Sequence, residues 1–213
     1  MKFTLICIVS AALLTLGLLR ATFAAAPQPS PYPISWEFKF QHDLPKRIVV
    51  DIPGKDTPVA YWYLTYTVTN NTDEERAFLP LFEMVTKEGN VIHSDKAIPK
   101  KVFDTIKDHE KKQFLEPWTK VGGELRLGED QAKDGVAIWE EPSPRMGKFS
   151  IYASGFSGEA VTLKDDDGKV MNDKDGNPII LRKTLQLNYH IRGDEVYPGE
   201  DDVNVNPEQW VMR

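Results

Sequence analysis

The fold class is decided by residues 61–68, Tyr61-Trp62-Tyr63-Leu64-Thr65-Tyr66-Thr67-Val68. Aromatic and β-branched residues fill nearly every position, and such residues suit the pleated surface of a strand. Because successive side chains of a strand point to opposite faces, this pattern predicts an inward row of alternate large residues. That row consists of Trp62, Leu64, Tyr66 and Val68.

Similar runs lie on both sides of this strand and are separated by turn-forming residues. Residues 34–40 alternate apolar and polar side chains, and residues 179–191 alternate so that Leu181, Leu185, Leu187, Tyr189 and Ile191 share one face. Many strands with few helices between them predict a mainly β domain over residues 34–192. We expect an antiparallel β-sandwich, with a closed barrel as the alternative.

One segment interrupts the β pattern. Val102, Phe103, Ile106 and Phe114 lie among charged residues at spacings near the helical period, which predicts one surface helix at about residues 99–114. Pro99 suits the first turn of this helix, and Asp108 and Lys112 would form a weak i,i+4 pair.

The N-terminus, residues 1–26, reads as a cleavable secretory signal. Lys2 precedes an apolar run from Phe3 to Leu19, and small residues follow at 24–26. A retained membrane anchor is the alternative, but the run is shorter than the roughly 20 residues that a spanning helix needs. The single cysteine, Cys7, lies inside the run, so the mature chain must be stabilised by apolar burial rather than by disulfides.

The ends of the mature chain differ in composition from its middle. Residues 27–33, PQPSPYP, predict an extended proline-rich linker. Residues 193–213 are acidic and lack a sustained period, so we expect a loosely attached tail, with Trp210 as a possible anchor onto the body.

The charge balance is acidic. The chain has 26 basic and 32 acidic residues, and removal of Lys2 and Arg20 with the signal takes the formal charge from −6 to −8. Nucleic acids and anionic membranes prefer basic surfaces, so neither is an expected partner. We expect no stable membrane insertion after cleavage.

No catalytic, cofactor-binding or metal-binding residues are assigned from the sequence. The Asp-rich residues 165–175 suggest calcium ligands, but their spacing does not fit an EF-hand, and Asp-Gly pairs are common in hairpin turns. The four histidines lack metal-ligand spacing, and the mature chain has no G-x-S-x-G motif. The adjacent acids Glu140 and Glu141 would point to opposite faces of a strand.

The tryptophans divide into two groups. Trp36 and Trp62 fall on apolar rows and are predicted to lie in the core. Trp118, after Pro117, and Trp210 are better candidates for exposure, where an indole can stack on a sugar ring. Burial of both would remove the reason to expect carbohydrate binding.

Two segments carry a family resemblance. YLTYTVTNNTDEE at 63–75 with LPLFEMVTKEGNVI at 79–92, and GVAIW at 135–139 with GKFSIYASGFSGE at 147–159, resemble a group of uncharacterised exported bacterial proteins. The resemblance covers residues 34–192. It implies an immunoglobulin-like β-sandwich outside the cytoplasm, and it implies no catalytic residues.

These observations predict an exported, non-enzymatic β-sandwich module, periplasmic or extracellular, that binds or scaffolds proteins of the cell envelope. Strand edges, loops or the acidic tail would form the contact. The alternative is a carbohydrate-binding module that holds an envelope polysaccharide, and a hydrolase is the remote alternative. No cofactor is expected.

Overall fold

The computed structural model describes residues 26–191 and 203–213. The predicted signal peptide, apart from Ala26, and residues 193–202 of the predicted tail lie outside the described residues. The helices of the described residues lack the length and hydropathy of a transmembrane segment. The proline-rich residues 27–33 form neither helix nor strand, although the Ser30 backbone N–H donates to Glu159 Oε1 at 2.7 Å.

The described chain is mainly β, as the sequence predicted. The strands of the first sheet are β1 (Lys39–His42), β2 (Lys46–Val50), β3 (Val59–Thr69), β7 (Leu115–Pro117) and β9 (Lys133–Glu140). The long strand β3 is central: β1 and β2 both pair with it, and β9 pairs with it antiparallel through eight register positions from Tyr61 to Val68. β7 runs parallel to β9, which departs from the expected antiparallel pattern.

The second sheet is built around the last long strand. Its strands are β5 (Leu81–Thr86), β6 (Val91–His93), β10 (Lys148–Ser154), β11 (Ala160–Thr162), β12 (Ile180–Ile191), β13 (Val203–Val205) and β14 (Gln209–Met212). β12 pairs with β10 and β11, and also with β13 and β14. A separate two-stranded sheet joins β4 (Arg76–Phe78) to β8 (Gly123–Leu125).

Most of the core lies between the two large sheets. The predicted inward row of β3 is confirmed, since Trp62, Leu64, Tyr66 and Val68 are all buried. Rings from the two sheets meet here, with 5.5 Å between the centroids of Trp62 and Phe149. Tyr63, on the opposite face of β3, belongs to a second core that is shared with the main helix.

The predicted helix is shorter than expected. It spans Lys100–Glu110 as α1, begins after Pro99, and buries Val102 and Ile106. It ends because Lys111 adopts a left-handed conformation (φ 54°) and returns its N–H to the Lys107 carbonyl. The predicted Asp108 pair does not form, because Lys112 lies beyond the helix and donates to Asp43 Oδ2 at 2.5 Å. Two short helices follow, α2 (Trp118–Val121) and a 3₁₀ turn (Glu129–Gln131).

The C-terminal segment is integrated into the second sheet. The expectation of a loosely attached tail was wrong for residues 203–213, because β13 and β14 pair antiparallel with β12. Trp210 packs against the main core, so its predicted anchoring is confirmed. The alternation of polar and apolar residues in these segments is too short to stand out from their acidic context.

A buried charge interrupts the predicted apolar row of β12. Lys183 lies between Leu181 and Leu185 on that row and is 5% exposed. Its ammonium contacts Glu37 Oε1 and lies 3.4 Å from Glu159 Oε2, with the Trp210 ring centroid at 5.1 Å. The paired carboxylates offset the cost of burying the lysine.

Candidate functional site

A depression with exposed aromatic side chains lies between α1, β7 and α2. Two adjoining cavities of about 640 and 530 Å³ share Phe103, Lys107, Pro117 and Lys120 in their walls. We call the combined space the Trp118 cleft. Its other principal lining residues are Asp95, Lys100, Asp104, Phe114, Trp118 and Asp134.

Trp118 is presented by the four-residue helix α2. Pro117 ends β7 and directs the chain into this helix, and Val121 anchors it in the core. Lys133 Nζ donates to the Val121 carbonyl at 3.1 Å, which satisfies an acceptor at the helix end. The Trp118 side chain is 51% exposed, so half of a large aromatic surface faces the cleft and the solvent.

The opposite wall belongs to α1. Its buried residues hold one helix face against the first sheet, while Phe103 and Lys107 line the cleft. Lys107 Nζ donates to the Leu115 carbonyl at 3.0 Å and so ties α1 to the start of β7. Lys100 pairs with Asp104 along the exposed edge of the helix at 2.5 Å.

Asp95 occupies the inner wall, in the turn between β6 and α1. Its N–H donates to the Ile138 carbonyl at 2.7 Å, and its backbone is left-handed (φ 59°), as is that of Ala97 (φ 58°). Non-glycine residues in this conformation are uncommon and persist where the surroundings hold them. Burial raises the pKa of the Asp95 carboxyl to about 7, despite hydrogen bonds from Ser94 and Ile138 that oppose the shift.

The cleft therefore combines an aromatic platform with hydrogen-bonding groups of both kinds. The lysines donate and the aspartates accept, around a half-exposed indole. No group of three or more metal-ligating side chains comes together within the described parts of the chain. Stacking and hydrogen bonding are the chemistry that this arrangement supports.

The two tryptophans that were predicted to be exposed lie in different parts of the fold. Trp118 is exposed at the cleft, whereas Trp210 is half-buried on the second sheet, so the two do not form one site. Trp62 is in the core and Trp36 packs against it.

The adjacent acids Glu140 and Glu141 lie in different environments. Glu141 accepts hydrogen bonds from Arg47 and Trp62, while Glu140 is exposed.

The Asp-rich segment forms two successive turns. Asp165 Oδ1 accepts the N–H groups of Asp167 and Lys169, and Asp173 Oδ1 accepts those of Asp175 and Asn177. Gly168 and Gly176 supply the positive φ in each turn. These contacts match the turn interpretation that the sequence favoured.

Asp95 was not predicted from the sequence as a site residue. It lies in Ser94-Asp95-Lys96-Ala97, which reads as an ordinary polar turn. No spacing in these residues signals burial, because burial here comes from packing against β9 and α1. The cleft itself also could not be predicted, since α2 has only four residues.

Comparisons with known proteins add little. No protein-family model matches the chain, and no curated protein matches it. Among solved structures, the crystal structure of the yjhA protein from Bacillus subtilis is similar over 70% of this chain and 92% of that chain. The identity is 12% and the TM-score 0.36, so this likeness carries no argument about function.

Proposed function

We propose that this chain is a non-catalytic module that works outside the cytoplasm and binds a polysaccharide of the cell envelope in the Trp118 cleft. The observation that carries the proposal is the half-exposed Trp118 indole, set between lysine donors and aspartate acceptors in one cleft. Sugar rings present apolar faces for stacking and hydroxyl groups for hydrogen bonds, which matches this combination.

Export and fold class are parts of the same proposal. The charged, apolar and small-residue order of residues 1–26 supports secretion. Two sheets that pack across a common core support an immunoglobulin-like sandwich, with the parallel β7 as a departure from that pattern.

Protein scaffolding, which the sequence favoured, receives less support from the geometry. Strand addition needs a long free edge, whereas the described strands at the edges of the two large sheets have only three to five residues each. The described end of the acidic tail is already paired with β12. Hydrolysis is not proposed, because Asp104, the other carboxyl that lines the Asp95 cavity, is paired with Lys100 at 2.5 Å.

Sedimentation with insoluble polysaccharides tests the proposal. The exported protein would be mixed with peptidoglycan, cellulose and chitin, and its affinity measured from the unbound fraction. At least one polymer is expected to bind, and Trp118→Ala is expected to weaken that binding about tenfold through loss of stacking. Tyr32→Ala is the matched control, since Tyr32 is an exposed aromatic residue that does not line the cleft. No binding to any polymer, or equal binding by Trp118→Ala, would overturn the proposal.

A further inference from the structure

The carboxyl of Asp95 is held in place at the inner wall of the Trp118 cleft. Ser94 N–H donates to the Phe82 carbonyl at 2.9 Å and Asp95 N–H to the Ile138 carbonyl at 2.7 Å, so the turn is tied to both large sheets. Asp95 has a left-handed backbone (φ 59°), a conformation that non-glycine residues rarely adopt. These two backbone hydrogen bonds therefore keep the turn in its left-handed conformation and keep the Asp95 side chain at the cleft.

The groups that face Asp95 come from every element around it. The Ser94 hydroxyl and the Ile138 N–H bond to its carboxyl, and Tyr66 of β3 lies within electrostatic reach. The other charged residues that line the same cavity are Lys100, Asp104, Lys107 and Lys120. Lys100 is paired with Asp104, and Lys107 donates to the Leu115 carbonyl. No ion pair to Asp95 is formed within the described residues, so ligand hydroxyl groups are suitable partners.

We propose that Asp95 selects the ligand of the cleft: its ionised carboxylate accepts hydrogen bonds from the hydroxyl groups of a sugar that stacks on Trp118. This inference rests on the proposed function. Ionised acceptors form stronger hydrogen bonds than neutral ones, and a carboxylate offers two oxygens to neighbouring hydroxyl groups. Affinity for the sugar therefore depends on the ionisation of this one residue.

Burial sets the pH range in which this dependence appears. The pKa of Asp95 is raised to about 7, so the carboxyl is mostly protonated at mildly acidic pH and mostly ionised at mildly basic pH. Affinity is expected to increase about fivefold between these limits, because a charge-assisted hydrogen bond replaces a neutral one.

The experiment repeats the sedimentation with peptidoglycan, cellulose and chitin at about pH 5.5 and about pH 8.5. The wild-type affinity for the bound polymer is expected to rise with pH, while Asp95→Asn is expected to bind weakly and equally at both values. Asp108→Asn is the matched control, since Asp108 is exposed on the same helix α1 and lines neither cavity of the cleft. Its pH dependence should be that of the wild type.

The outcomes separate this inference from the proposed function. Binding that requires Trp118 but is equal at both pH values, or that keeps its pH dependence in Asp95→Asn, overturns the inference and leaves the proposed function standing. Absence of binding to every polymer overturns both. Thermal unfolding of Asp95→Asn, measured in parallel, shows whether a loss of binding comes from a loss of folding.

Discussion

Arg47 and Glu141 form a two-point ion pair between β2 and the end of β9. Nε lies 2.7 Å from Oε1 and Nη2 lies 2.9 Å from Oε2. Oε1 also accepts the indole N–H of Trp62 at 3.1 Å, so one carboxylate satisfies a guanidinium and the polar atom of a core tryptophan. The Glu141 side chain is 8% exposed, which makes its loss costly.

Glu141→Ala is expected to lower the free energy of unfolding by about 3 kcal/mol, because it leaves a partly buried Arg47 and the Trp62 N–H without their acceptor. Urea unfolding measures this change. The matched control is Lys100→Ala, which removes a solvent-exposed pair with Asp104 and should cost less than about 0.5 kcal/mol. Similar losses in the two variants would contradict the prediction.

Asn70→Ala is expected to destabilise the protein by about 2 kcal/mol. Asn70 is 1% exposed, its Nδ2 donates to the carbonyls of Glu74 and Leu125, and its Oδ1 accepts the N–H and hydroxyl of Thr72. Truncation leaves these partners unpaired. Asn71→Ala, at the exposed neighbouring position, is the control for chemical denaturation, and an equal effect there would refute this account.

Truncation of Trp139 is expected to destabilise the protein much more than truncation of Trp118. Trp139→Ala should cost about 3–5 kcal/mol, because Trp139 is buried and its indole N–H donates to the Ile92 carbonyl at 3.2 Å. Trp118→Ala should cost less than about 1 kcal/mol, because much of the indole is already in water. Calorimetry of both variants checks this, and a large loss in Trp118→Ala would show that Trp118 supports the fold.

Asp95→Asn is expected to stabilise the protein at basic pH. The folded pKa of about 7 exceeds the ordinary aspartate pKa of 3.8, so between these values the folded state binds more protons than the unfolded state, and stability falls as pH rises. Asparagine removes that loss, with an expected gain of about 2 kcal/mol at basic pH after allowance for partial exposure. The gain should vanish near the unfolded pKa, which unfolding curves across the pH range would show. A constant difference would argue against the raised pKa.

Millimolar calcium is expected to leave the melting temperature unchanged. Asp165 and Asp173 already accept backbone N–H groups of their own turns, and calcium would compete with these bonds. A thermal scan with and without calcium decides the point. A rise with calcium that is absent in Asp173→Ala would restore the calcium hypothesis.

Local patterns of apolar and polar residues predicted part of the fold correctly. Alternation predicted the buried face of β3, and apolar spacing located α1 near its observed start at Lys100. The end of the helix was not predicted, because Lys111 turns left-handed where the composition still favours helix. Part of the candidate site was predicted, because Trp118 was expected to be exposed after Pro117. The burial of Asp95 was not predicted.

Lys183 shows why other features of the fold could not be predicted from the sequence. It occupies an apolar row because Glu37, 146 residues away, and Glu159 bring carboxylates to it. Burial of the Lys183 charge is tolerated only because the fold brings these distant carboxylates to it. The residues next to Lys183 in the sequence do not indicate which segments will pack against it.

The sequence by itself determined that the chain is mainly β and that one face of its longest aromatic strand is buried, because both follow from side-chain alternation within a single strand. Tertiary structure alone decided that the C-terminal residues complete the second sheet, that Lys183 is buried, and that Asp95 and Trp118 share one cleft. These features arise from contacts between segments far apart in the chain, and burial, unlike strand propensity, is a property of the packed molecule.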